Sequence, residues 1–83
     1  MVYNNKKGGS FRGKYQNRLR DLRNDKDLTQ AQIAQIFSMQ PTQYRRYENG
    51  DSDLPLELAK KFANYYNVSI DYIAKRTDVP NKK

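Results

Sequence analysis

The stretch QAQIAQIFSMQPTQYRRY, residues 30–47, constrains the fold of this chain more than any other part of it. Apolar side chains fall at Ile33, Ala34, Phe37, Met39, Tyr44 and Tyr47 among others. Their helical spacing is interrupted once, at Ser38 and Met39, before Pro41 opens a second run. Proline suits a first helical position because the N–H it lacks would have had no partner there. Two short helices crossing steeply over a tight turn satisfy this pattern. Ala34 is small where the second helix passes closest, and Met39 plugs the turn into the core. Tyr44 and Tyr47 lie one turn apart and hold one face of the second helix down. The opposite face, with Thr42, Gln43, Arg45 and Arg46, must then point outward.

The flanking segments supply the rest of an all-α core. Tyr15, Leu19 and Leu22 recur at i, i+4 and i+7, one stripe of a helix ending near Asp25. Thr29 reads as the N-cap of the helix that buries Ile33, Ala34 and Phe37. Gly50 ends the next helix, since a left-handed residue costs glycine little. Pro55 starts a fourth helix with the stripe Leu58, Phe62 and Tyr65 or Tyr66, with Ala59 and Ala63 alongside. Asn67 and Val68 end it, and Ser69 caps a short fifth helix carrying Ile70 and Ile73. No strand pattern or internal repeat appears. The expected organisation is a basic arm over 1–13, a five-helix domain over 14–77 and a fraying tail over 78–83.

Composition narrows the chemistry. The chain has no cysteine and no histidine, which removes disulfides, thiolate metal sites, the commonest zinc ligand and the commonest general base. No nucleophile–base pair can be assembled, so an enzyme is not expected, nor is a cofactor or a small-molecule ligand. No apolar run approaches the ~20 residues of a membrane span, so a cytoplasmic protein is expected. The net charge is +7 and is unevenly spread: residues 1–26 hold eight Lys/Arg against two acids, and residues 27–83 hold eight against seven. A basic first third on a near-neutral body points to a polyanionic partner, nucleic acid or an acidic membrane, or to a solubilising tail.

The text LTQAQIAQIFSMQPTQYRRYENG, followed by LPLELAKKFANYYNVSIDYI, resembles the lambda-repressor-like helix-turn-helix domains of the Xre/Cro type. The likeness covers about residues 15–76. It departs from the family's pattern in two places. Ser38 stands where glycine is usual and must take a positive φ or shift the turn. Gln40 and Pro41 stand where a Ser or Thr cap and a polar, base-reading residue are usual.

The resemblance implies a compact five-helix domain that binds double-stranded DNA, with residues 41–48 as the recognition helix in the major groove. Arg46, near the middle of that helix, is expected to read a base, and Thr42, Gln43, Gln40 and Arg45 to lie against the groove. Gln30 and Asn49 correspond to phosphate contacts, Asn49 competing with a role as helix C-cap. Arg23 and Glu48 correspond to an internal ion pair. Tyr44 and Tyr47 read first as core; Tyr65, Tyr66 and Tyr72 read as core or as a self-contact. The basic arm either follows a minor groove or adds nonspecific attraction. The implied function is a small bacterial, phage or plasmid transcriptional regulator, a repressor, acting as a homodimer on a palindromic or near-palindromic operator. The competing reading is a DNA-binding antitoxin or interaction module that works with a partner protein.

Overall fold

The computed structural model describes residues 14–80. The basic arm expected over 1–13 and the last three residues lie outside it. Five helices follow in order: α1 (Leu19–Asp25), α2 (Gln30–Ile36), α3 (Pro41–Glu48), α4 (Leu56–Tyr66) and α5 (Ile70–Ile73). No strand occurs among the described residues.

The helices start where side chains can satisfy their unpaired amides. Thr29 accepts from the Gln32 N–H, and the Gln32 side chain accepts in return from the Thr29 N–H, a reciprocal pair that closes the first turn of α2. Ser69 accepts from the Tyr72 N–H at the head of α5. Asn17 does the same for α1 by accepting from Leu19 N–H at 2.9 Å. Pro41 occupies the first turn of α3.

The helix ends are more uniform than the sequence suggests. Asp27, Ser38, Gly50, Asn67 and Lys75 each take a left-handed backbone just beyond a helix, with φ between 57° and 81°. After α2, the Ser38 N–H donates to the Gln35 carbonyl and the Met39 N–H to the Ala34 carbonyl. These are the two bonds of a Schellman end. Only one of the five positions is glycine, so the other four hold a side chain where Cβ is crowded. Ser38 thus adopts the positive φ that its sequence left as one of two options.

The core gathers Leu19, Leu22, Ile33, Ala34, Tyr44, Phe62, Ala63, Tyr66, Val68 and Ile73. Phe62 is its aromatic centre, with rings of Phe37 at 4.3 Å and Tyr44 at 6.1 Å and a stacked Tyr66 at 6.3 Å. Ala34 is wholly buried and Met39 packs against the cluster from the turn. Two local expectations change and one left open is resolved. Tyr15 precedes α1 rather than lying on it and is 37 % exposed. The chain turns non-helical ahead of Leu19, where Asn17 bonds both the Tyr15 carbonyl and the Leu19 N–H, so Tyr15 is off the helical stripe. Phe37 and Tyr47 are half-buried rather than core. In the pair left open on α4, Tyr66 is the buried ring and Tyr65 sits at the rim.

Long-range polar contacts close the two ends of the domain on each other. Asn17 Nδ2 donates to the Tyr47 carbonyl at 2.8 Å, and Arg18 Nε donates to the Tyr72 carbonyl at 2.8 Å. Arg18 also lies over the Tyr72 ring and pairs with Asp78. Within the segment expected to fray, Asp78 meets Arg18 and the Pro80 carbonyl accepts from the Ser69 N–H.

Candidate nucleic-acid interface

The two faces of α3 are chemically opposite. Tyr44 and Glu48, one turn apart, are fully buried. Thr42, Gln43, Arg45 and Arg46 are all exposed, as is Gln40 just ahead of the helix. The outward face therefore carries a hydroxyl, two carboxamides and two guanidiniums, and it projects beside the α2–α3 turn.

What holds α3 from behind is a buried carboxylate. Glu48 is 1 % exposed and accepts from four side chains. Arg23 grips it with two bonds, Nε to Oε2 at 2.8 Å and Nη2 to Oε1 at 3.2 Å. Tyr44 OH donates to Oε2 at 2.7 Å, and Gln30 Nε2 to Oε1 at 2.9 Å. Arg20 Nε reaches Oε1 at 3.4 Å. One residue of α3 is thereby tied to α1 and α2 together. Arg23 also donates to the Leu28 carbonyl at 2.7 Å, which fixes the α1–α2 loop to the same centre.

The electrostatics follow from that geometry. Burial pushes the Glu48 carboxyl pKa upward, but the bonds from Arg23, Tyr44 and Gln30 outweigh burial and hold it below the ordinary carboxylate value. The Arg23 guanidinium is raised, chiefly by its bonds to Glu48. The Tyr44 phenol is raised by burial and then by the neighbouring carboxylate, so it stays a donor.

Several side chains singled out from the sequence have specific partners. Arg46 Nε donates to the Ser52 hydroxyl at 3.1 Å, while Ser52 N–H donates to the Arg46 carbonyl. Asn49 is the C-cap residue of α3, and its Oδ1 accepts from Arg20 Nη2 at 3.0 Å. Gln30 opens α2 with its amide nitrogen turned inward to Glu48. Thr42, Gln43 and Arg45 make no side-chain hydrogen bond among the described residues. Sequence reasoning missed Arg20, Ser52, Asn17 and the Tyr44 hydroxyl. The spacing of Tyr44 and Glu48 at i, i+4 was a usable signal for the last; the other three depend on contacts across the fold.

An all-helical domain whose α2 and α3 cross over a tight turn, with α3 clamped inward and polar outward, is a helix-turn-helix domain. The chain belongs to the helix-turn-helix family, whose model matches residues 19–73. It is 38 % identical over 69 residues to YobD, an uncharacterized helix-turn-helix-type transcriptional regulator of Bacillus subtilis (strain 168), an alignment covering 83 % of this chain and 62 % of that protein. It is 34 % identical over 56 residues to the cryptic phage CTXphi transcriptional repressor RstR of Vibrio cholerae, covering 68 % of this chain and 50 % of that one. The chain thus spans half to three-fifths of the length of these two relatives. No solved structure matches it significantly.

Proposed function

We propose that the chain is a DNA-binding transcriptional regulator whose α3 enters the major groove of a double-stranded operator. The observation that carries this reading is the division of α3: Tyr44 and Glu48 sealed inward, Thr42, Gln43, Arg45 and Arg46 presented outward on one short helix. A helix fits the major groove, and these are side chains that can read base edges. With Nε on Ser52, Arg46 retains both Nη groups, and two parallel N–H donors match the O6 and N7 of guanine. Gln40, Thr42, Gln43 and Arg45 complete the groove-facing set. The Gln30 side chain is held inward by Glu48, so its backbone N–H at the head of α2, rather than its carboxamide, falls on the phosphate backbone, together with Asn49 at the foot of α3. Both named relatives support transcriptional regulation, and the one named a repressor supports repression as the mode of action.

The mechanism is binding without catalysis or cofactor, in the cytoplasm. One recognition helix reads too few base pairs to select a site among at least ~10⁶ competitors, so two copies act across a dyad, their α3 helices about 34 Å apart. Selection of bound duplexes from a random pool tests the reading. A palindromic or near-palindromic consensus is expected, and recovery of unenriched sequence would refute it. Arg46→Ala should then cost ~1–3 kcal/mol on the selected site and relax one base position, leaving nonspecific binding little changed.

A further inference from the structure

The Glu48 centre holds one more positive charge than it can neutralise. Arg23, whose side chain is 13 % exposed, already forms a two-bond pair with the carboxylate. Oε1 then receives Gln30 at 2.9 Å and Arg20 only at 3.4 Å, the longest of the contacts to Glu48. Charge-assisted N–H···O bonds usually close to about 2.7–2.9 Å, so Arg20 is the weakly held member. Its side chain is 38 % exposed, and among the described residues Glu48 is the only carboxylate it meets. Two guanidiniums share one carboxylate, and the surplus charge sits on the outer arginine.

The second observation concerns Asn49. A guanidinium has only donors, so the Asn49 carboxamide must present its oxygen to Arg20, as it does at 3.0 Å. That choice commits the amide NH2 to some other partner, and it donates to none of the described residues. A cation and an oriented amide donor thus stand together at the C-terminal end of α3, beside its base-reading face. Oriented N–H donors next to an unneutralised arginine are what a phosphodiester oxygen requires.

We propose that Arg20 and Asn49 form one composite phosphate clamp, in which Arg20 supplies the counter-charge for a DNA phosphate and fixes the orientation of the Asn49 amide. The clamp joins α1 to the foot of α3, so the backbone contact and the inward anchoring of the helix share one residue, Glu48. This inference rests on the DNA-binding reading above and adds to it a residue of α1.

The test is the salt dependence of duplex binding by the full chain, measured by fluorescence anisotropy for wild type, Arg20→Gln and Arg20→Lys, with Lys60→Gln, an exposed α4 lysine paired with Glu57, as a control. Neutralising one phosphate contributes about 0.9 to the slope of log K against log salt. Arg20→Gln should therefore lose about 0.9 of slope per bound chain on any sequence. It should bind about eightfold more weakly at 0.1 M salt, the gap closing toward 1 M. Arg20→Lys should keep the slope, and Lys60→Gln should not change it. Circular dichroism at the assay temperature accompanies each measurement. A steep wild-type slope that Arg20→Gln leaves unchanged overturns the clamp alone, as does an Arg20→Gln chain that no longer folds, which would make Arg20 a structural cation. A wild-type slope near zero overturns the DNA-binding reading itself.

Discussion

Glu48 and Phe62 are both fully buried, and each is the centre of a cluster, yet the clusters are held by different physics. Phe62 is surrounded by Phe37, Tyr44 and Tyr66, where contact is dispersion and apolar burial, largely indifferent to direction. Glu48 is surrounded by donors from three helices, and its contacts survive only at fixed distances and angles. The aromatic cluster makes the domain compact. The carboxylate sets which way α3 is rotated, and with it which side chains face outward.

The widest test of this contrast compares the loss of each centre. Phe62→Ala should cost about 3–5 kcal/mol, through lost burial and the cavity left behind. Glu48→Gln should cost about as much, because Arg23 is left facing an amide in a largely buried site. Urea melts at two pH values separate them. The folded-state pKa of Glu48 is depressed, so its contribution is complete above the ordinary carboxylate value of 4.5 and fades as pH falls through the lowered one. The gap between wild type and Glu48→Gln should thus shrink on acidification below pH 4.5, while that for Phe62→Ala persists. Parallel behaviour of the two variants would break the comparison.

A finer test applies one chemical edit to both clusters. Tyr44 OH donates to Glu48, whereas the buried Tyr66 OH has no partner among the described residues. Tyr44→Phe should destabilise by about 1.5–3 kcal/mol, the scale for a hydrogen bond to a charged group. Tyr66→Phe should be neutral or stabilising by about 1 kcal/mol, since it removes a desolvated, unsatisfied hydroxyl. Thermal melts of the two variants should move apart, and equal losses would show that the Tyr66 hydroxyl is satisfied in solution.

The smallest expected effect lies at the turn between α2 and α3. Ser38 holds φ at 57°, so Ser38→Gly should stabilise by about 1 kcal/mol. Glycine's larger unfolded-state entropy offsets part of that gain. A loss of stability would mean that the serine side chain contributes something its backbone conformation does not reveal.

Much of this organisation was legible in sequence because it is local. Thr29 and Ser69 as caps, Pro41 at the head of α3 and Gly50 at its end each act within a few residues of themselves. The polar outward face of α3 also follows from helical periodicity once Tyr44 is inside. Of the residues that meet in the buried centre, Arg23 and Glu48 were singled out as an ion pair and Gln30 as a phosphate contact, each only through a resemblance, because they are far apart along the chain. Of the other left-handed helix ends, Asn67 was legible as a helix stop and Ser38 as one of two options, whereas the left-handed turns at Asp27 and Lys75 were not legible, and lysine is a residue that normally avoids that region.

The sequence by itself determined that the chain is helical, where most of its helices stop, and which face of α3 is polar. These are consequences of propensity, capping and period, which need no distant partner. Only the tertiary structure decided that Gln30 turns inward to Glu48, that Arg46 leans on Ser52, and that Arg20 stands between a carboxylate it reaches weakly and the Asn49 amide it orients. The physical reason is range. A hydrogen bond requires its partner within about 3 Å, and Arg20 and Asn49 come that close only after α1 has packed against the foot of α3.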